Sequence, residues 1–291
     1  MARPAPAVER TVALLEFLAS NPSQSFSLSE LARRLDINKA TIHAIANTLA
    51  GCGYLLRHPV DKSFTLGPAL IAVGNAAGQR QFEIVDYARP EMEKLSTELG
   101  LHCVASAAIG DEIVLLARTG RIEPLSLSVP VGQRLPLAPP LGTVFVAWDA
   151  PDAIDRWLRR LGPRPGNAAL ERYREAVATV RRRGYSLGLE PPPAAARGRR
   201  GLRDAAVEVV EQHPHDEYIL LELEKAASYR LAHIAAPVFA ADGRVALALT
   251  LMGFRQQLTA DQVPQHAGRL LAATAAVTRS IHGRTPEPAP N

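Results

Sequence analysis

The chain has 291 residues, with 33 basic and 29 acidic side chains and a formal charge of +4, which is long enough for two domains that each bury a core. A hydrophobic share of 47% and a charged share of 21% exclude wholesale disorder and collagen-like or coiled-coil architectures. No apolar run reaches the ~18 residues of a membrane span, residues 1–10 lack a signal-peptide core, and the cytoplasm is the expected address.

In chain order, Val8, Val12, Leu15 and Leu18 recur at helical spacing and predict a first helix buried along that stripe. Phe26-Ser27-Leu28-Ser29-Glu30-Leu31 reads as a helix start, with Ser27 as N-cap, Glu30 returning the capping-box bond, and Phe26 with Leu31 as hydrophobic staple. This helix ends at Leu35, Asp36-Ile37-Asn38 forms a short turn, and Asn38 caps a third helix from Lys39 to about Ala50 whose buried stripe is Ile42, Ile45 and Leu49. Gly51 and Gly53 stop it, and residues 54–57, 58–62 and 63–66 read as strand, turn and strand. That order is a winged helix-turn-helix.

With its apolar stripe turned inward, the third helix exposes Lys39, Ala40, Thr41, His43, Ala44, Asn47 and Thr48. Short and polar side chains of this kind suit a major groove, with Lys39 and Thr41 near phosphates and His43 or Asn47 near base edges. Arg57 and Lys62 would hold the wing on the backbone. A helical hairpin for protein contacts is the bland alternative.

Glu9 to Gly78 closely resembles the winged module of IclR-type transcriptional regulators, through Ser27-Leu28-Ser29-Glu30-Leu31-Ala32, Lys39-Ala40-Thr41-Ile42-His43, Gly53-Tyr54-Leu55 and Phe64-Thr65-Leu66-Gly67. The resemblance implies a recognition helix in the major groove and dimers that read two half-sites of double-stranded operator DNA. Ala44 departs from it, standing where the family often has an arginine.

Residues 69–75 and 79–99 read as helices, the second carrying Ile84, Ala88, Met92, Leu95 and Leu99, with Pro90 forcing a kink or a fresh start. The resemblance makes the second a linker that helps the modules pair. From Leu101 the pattern turns to strand at 102–108, 112–118 and 125–129, and to helix at 141–148, 151–161 and 168–183. It returns to strand at 218–223, 231–239 and 245–252, which makes an α+β antiparallel-sheet domain. The expected division is a winged domain 1–78, a linker helix 79–99, a sheet domain 100–284 and a disordered tail 285–291.

Residues 131–137, Arg183-Gly184-Tyr185, Ile234-Ala235-Ala236-Pro237-Val238-Phe239 and Asp242-Gly243-Arg244 resemble landmarks of the IclR effector-binding domain, a GAF-like fold. That likeness implies a small-molecule pocket touched by Val129, by Leu141 and Gly142 at a helix start, by His233 and Ala235 on one strand, and by Ala248 and Thr250 on the next. His233 replaces the small or thiol residue common there, and residues 191–216 form an insertion the family pattern lacks.

Charge is uneven: residues 1–78 hold 7 basic and 5 acidic side chains, and residues 151–204 hold 13 and 6. The run Arg181-Arg182-Arg183 reads as a solvated face. Gly184-Tyr185-Ser186-Leu187-Gly188 matches a nucleophile elbow, but a basic helical segment precedes it and Pro191-Pro192-Pro193 follows, so Ser186 is read as structural. His213-Pro214-His215 lacks a third ligand at a familiar spacing, and the two cysteines, Cys52 and Cys103, are too few for a disulfide framework or thiolate zinc site. No catalytic set, metal or cofactor is expected. The reading is a homo-oligomeric regulator, dimer or tetramer, whose operator binding responds to a small organic or aromatic acid. The alternative is a small-molecule-binding protein or hydrolase whose N-terminal module serves only for oligomerisation.

Overall fold

The computed structural model describes residues 5–19, 21, 24–74, 83–120, 131–161, 166–190 and 218–286. The chain divides into two compact units, Met1–Phe82 and Glu83–Asn291.

In the first unit, α1 (Pro6–Ala19), α2 (Leu28–Leu35) and α3 (Lys39–Gly51) precede β1 (Leu55–Arg57) and β2 (Phe64–Leu66), and α4 occupies residues 69–74. The capping box forms in full: the Glu30 amide donates to Ser27 Oγ at 3.3 Å, and the Ser27 amide donates to Glu30 Oε2 at 2.9 Å. The Ser27 amide, and next the Ser27 hydroxyl donating to Glu30 Oε2 at 2.8 Å, hold the Glu30 carboxyl below its ordinary range. Asn38 caps α3, its Oδ1 accepting from the Thr41 amide at 2.8 Å. The β1–β2 hairpin is antiparallel, and Phe26 adds a bridge to Phe64, so the wing root is stitched to the entry of α2.

The first-helix stripe needs correction. Leu14 and Leu18 are the buried residues of α1, whereas Val8 is 60% and Val12 46% exposed. The buried face is centred about 100° round the helix from Val8, because Leu14, Leu18 and the flanking Phe17 reach Phe26 and Leu31 in one cluster.

The second unit is a six-stranded antiparallel sheet of order β5-β4-β3-β9-β8-β6, formed by β3 (His102–Ile109), β4 (Glu112–Thr119), β5 (Arg134–Pro136), β6 (Ser186–Leu189), β8 (Leu231–Phe239) and β9 (Val245–Met252). A separate pair joins β7 (Ser228–Tyr229) to β10 (Leu258–Thr259). Helix α5 (Glu83–Leu99) and the C-terminal α9 (Gln262–Ser280) cover one sheet face. There Thr119 Oγ1 donates to the Met92 carbonyl at 3.0 Å, and the Phe239 amide donates to Thr278 Oγ1 at 3.1 Å. Short α6 (Thr143–Val146), α7 (Pro151–Leu158) and α8 (Asn167–Arg183) lie toward the other face, sharing a core with Ile113, Ala235 and Ala248.

Three further expectations change. Helix α5 runs through Pro90 without restarting, because burial of Val85, Ala88, Met92 and Leu95 on one side outweighs the lost backbone donor. The helix expected at 141–148 shrinks to α6, since Gly142 adopts a left-handed φ of +86° at its start. Residues 218–223 do not form a strand: only Ile219 bridges Gly188, while the Ile219 and Leu221 carbonyls accept from Arg172 at 3.3 Å and Arg183 at 3.0 Å. Two backbone bonds to β6, Leu189 amide to Tyr218 carbonyl at 3.0 Å and Leu220 amide to Leu187 carbonyl at 3.3 Å, hold the segment at the sheet edge, and the guanidinium clamps take carbonyls beside them. The strand at 125–129 and the 191–216 insertion, with its His213-Pro214-His215, lie outside the described residues, as do the start of the linker and most of the tail.

Candidate nucleic-acid interface and ligand site

Helix α3 presents one continuous outer face. Lys39, Ala40, His43, Ala44, Asn47 and Thr48 are exposed and Thr41 is half-buried, while Ile42 and Ala46 are fully buried against the cluster of Leu14, Leu31 and Phe64. Asn47 Nδ2 lies 3.1 Å from His43 Nε2, so the two side chains one turn apart form a pair on that face. Thr48 Oγ1 donates back to the Ala44 carbonyl at 2.9 Å and is thereby partly occupied.

The wing is less basic than its sequence suggests. Arg57 is exposed and lies over the Phe64 ring, 5.7 Å from its centroid, which holds the guanidinium above the hairpin. Lys62 adopts a φ of +60° and folds Nζ back onto the Pro59 carbonyl at 2.5 Å. Asp61 accepts from the Ser63 hydroxyl at 2.7 Å and amide at 2.9 Å and pairs with His58 at 3.0 Å, and the Ser63 bonds hold its carboxyl below the ordinary range. The tip thus balances its own charge and shows Val60, 82% exposed. Among cations not singled out in the sequence, Arg34 stacks on Phe17 and Phe26 at 5.8 and 5.3 Å, joining α2 to α1.

In the second unit, strand register gathers the ligand candidates. His233 pairs with Met252, Ala235 with Thr250 and Pro237 with Ala248, so His233, Ala235, Thr250 and Ala248 share one sheet face. Ala235 and Ala248 belong to the core shared with Val144 and Phe145, which fixes that face as the one turned toward α6. Leu141 packs on the same core, and its carbonyl accepts from Trp157 Nε1 at 2.9 Å, pinning the backbone just before Gly142. Six of the seven residues therefore border one layer. Val129 lies outside the described residues.

Three hydroxyls were not assigned to that layer from the sequence: Ser106 and Thr143 were not singled out, and Ser186 was read only as structural. Ser106 pairs with Ala248 and Ser186 with Ala235, so both share the face, and both are buried. Thr143, the first residue of α6, buries Oγ1 with no hydrogen-bond partner. Ser106 was visible as a polar side chain in the apolar stretch that follows His102 in β3, whereas Thr143 carried no signal. His233 keeps some accessible surface although protein atoms crowd it from all sides, and that desolvation pushes its imidazole down to about 4. Cys103 is buried on the opposite face, where desolvation pushes its thiol up to about 12. Ser186 opens strand β6 directly behind α8, the reverse of the strand-to-helix turn a nucleophile elbow requires. A shallow cleft between α5 and α9 is rimmed by the Glu98–Arg269 ion pair and floored by alanines, and it holds no comparable set of convergent hydroxyls.

Comparison with known families decides what the two units are. Residues 7–59 match the IclR helix-turn-helix domain, and residues 77–191 match the bacterial transcriptional regulator IclR C-terminal domain. The chain belongs to the IclR family of transcriptional regulators. Its relatives include the HTH-type transcriptional regulator BhcR of Paracoccus denitrificans, 27% identical over 63% of this chain and 67% of that protein. The regulator XynR of Escherichia coli is 24% identical over 94% of this chain and 96% of its own. Among solved structures, an IclR homologue from Microbacterium hydrocarbonoxydans complexed with 4-hydroxybenzoate shares the fold with a TM-score of 0.63, at 20% identity over 94% of this chain and 98% of that one. IclR proteins are DNA-binding transcriptional regulators and not enzymes, so the hydrolase alternative is not favoured. Among the described residues no helix is long and apolar enough to cross a membrane.

Proposed function

We propose that this IclR regulator binds an operator as a homo-oligomer and that a small organic or aromatic acid, bound between the sheet and α6, changes that binding. The observation that carries the reading is the outer face of α3: a capped helix with a fully buried inner stripe leaves Lys39, Ala40, His43, Asn47 and Thr48 with no packing role. His43 or Asn47 reaches base edges, Lys39 and Thr41 approach phosphates near the helix start, and Arg57 with Lys62 holds the wing on the backbone. The proposed division follows the sequence, with 1–78 binding DNA, 79–99 linking and 100–284 receiving the effector.

Effector recognition draws on Leu141, Gly142, His233, Ala235, Ala248 and Thr250, with Val129 proposed from the family pattern alone. An apolar layer with a few hydroxyls and a neutral imidazole fits a compact acid. The homologue holding 4-hydroxybenzoate supports that class. The effector must bind the DNA-competent and DNA-incompetent arrangements with different affinity.

The test is fluorescence anisotropy of the full chain on a duplex from upstream of its own gene and on a scrambled duplex at fixed salt. Each titration is run with and without 4-hydroxybenzoate and a panel of small carboxylic acids. Preference for the native duplex, shifted by one compound, is the expected result. Equal affinity for both duplexes under every condition would reject operator recognition at that sequence.

A further inference from the structure

Resting on the reading of α3 as the helix that enters the groove, we propose that this regulator recognises an A·T-led half-site, with Asn47 reading an adenine and the methyl groups of Ala40 and Ala44 meeting thymine methyls. At 3.6 residues per turn, Ala40, Ala44, Asn47 and Gly51 fall along the centre line of the outer face, opposite buried Ile42 and Ala46 and half-buried Leu49. Lys39 and His43 flank the line on one side and Thr48 on the other. A spine of two alanines and a glycine lets the helix axis approach the groove floor. It also places only methyl groups where larger side chains would make polar base contacts.

The helix carries no arginine, and its single cation, Lys39, stands at the flank of the first turn. The commonest bidentate partner of guanine is therefore missing from the centre of the face. What stands there is the amide of Asn47, whose Nδ2 lies 3.1 Å from Nε2 and 3.3 Å from Nδ1 of His43, so that with one hydrogen spent on the ring one N–H donor and the Oδ1 acceptor are left for a base. Adenine offers the complement in the major groove: N7 accepts and the N6 amino group donates. Guanine offers two acceptors there, so Oδ1 would face another lone pair.

His43 acts as a positioning residue, since its ring fixes which end of the amide is spent. Ala40 and Ala44 offer apolar contact, and the matching feature of the major groove is the thymine C5 methyl. The arrangement thus selects A·T pairs by an amide and by two methyls, without arginine.

The experiment is selection of duplexes from a random library by the full-length protein at ~150 mM salt, followed by atomic substitution in the winning sequence. The expected core of each half-site is A·T-led. Replacing one core thymine by deoxyuridine, which removes only the methyl, weakens binding several-fold. Replacing one core adenine by 7-deazaadenine weakens it roughly tenfold, and Asn47→Ala shows no further loss at that same position. A G·C-led core overturns the proposal, as does an equal 7-deazaadenine penalty in the wild type and Asn47→Ala. Absence of any enriched sequence instead rejects DNA reading by α3 itself. Asn47 and Ala44 are exposed, so a matched melting temperature separates loss of contact from loss of fold.

Discussion

The imidazole of His233 lies in the space a side chain on Gly188 would need: a Cβ there would stand 2.2 Å from His233 Cε1 and 2.4 Å from Nδ1. The two residues are register partners on β8 and β6, so the ring lies flat against the neighbouring backbone. Gly188→Ala forces the ring off this position and is expected to cost about 1 to 3 kcal/mol by overpacking. His233→Ala added to Gly188→Ala restores part of the loss. Urea unfolding of the four proteins measures the coupling, and additive losses would show that the ring and the glycine do not compete for one space.

The same crowding makes stability depend on pH. The ordinary imidazole value is 6.5 and burial lowers that of His233 to about 4. Between these values the unfolded chain takes up a proton that the folded chain refuses, so stability falls as pH drops from about 6.5 toward 4 and is kept in full above 6.5. The residual accessible surface makes about 3 kcal/mol an upper bound. His233→Gln removes this one proton and leaves the other titrating groups in place. Its unfolding free energy should decline less steeply than the wild type's over that window, and parallel declines would reject a neutral buried imidazole.

Much of the DNA-binding unit was legible in the sequence because its signals are local. Ser27, Glu30 and Asn38 fix helix starts through bonds spanning three residues. The phase of α1 was not, since Val8 and Leu14 are equally apolar and only contact with Phe26 and Leu31 chooses between them. In the second unit, strands β8 and β9 announced themselves by composition, but the short edge contact that 218–220 makes with β6, and the arginines from α8 that take the Ile219 and Leu221 carbonyls, join segments far apart in sequence. Helix α9 and short strands β5, β6, β7 and β10 escaped for another reason: alanine-rich or two- to four-residue segments carry little periodicity of their own. The ligand layer emerged in part through family likeness, while Thr143 and Ser106 needed the register of the sheet and the position of α6.

Removing the cap of the recognition helix should be felt in both stability and binding. Asn38 Oδ1 satisfies the Thr41 amide, and Asn38→Ala leaves that donor to solvent at a cost of about 1 kcal/mol. Asn38→Ser should recover most of it. The fraying lies beside Lys39 and Ala40, so affinity for specific DNA falls alongside the melting temperature. Unchanged stability in Asn38→Ala, read by thermal unfolding, would contradict the capping role.

Arg57 and Lys62 should differ at the wing. Each phosphate contact contributes about 0.9 to the slope of log affinity against log salt. Arg57 rests over the Phe64 ring, a contact that does not use its N–H donors, whereas Lys62 must first leave the Pro59 carbonyl. Arg57→Ala should therefore flatten the salt dependence by close to one contact and Lys62→Ala by less. Anisotropy titrations across a salt series measure both slopes, and equal flattening would mean that the fold-back of Lys62 does not persist on DNA.

Thr143 offers a way to separate folding from response. Its hydroxyl is buried at the start of α6 without a hydrogen-bond partner, and a buried unsatisfied group costs about 1 to 3 kcal/mol. Thr143→Val keeps the shape and removes the polar atom, so the ligand-free protein should melt at the same temperature or higher. If Oγ1 exists to meet an effector oxygen, the gain in melting temperature that an active acid from the panel gives the wild type should shrink in the variant. Operator affinity without the acid should stay constant, because the substitution lies outside the DNA-binding unit. A variant that melts lower and retains the full ligand-induced shift would assign Thr143 to packing, since stability would then have depended on the hydroxyl and the ligand would not.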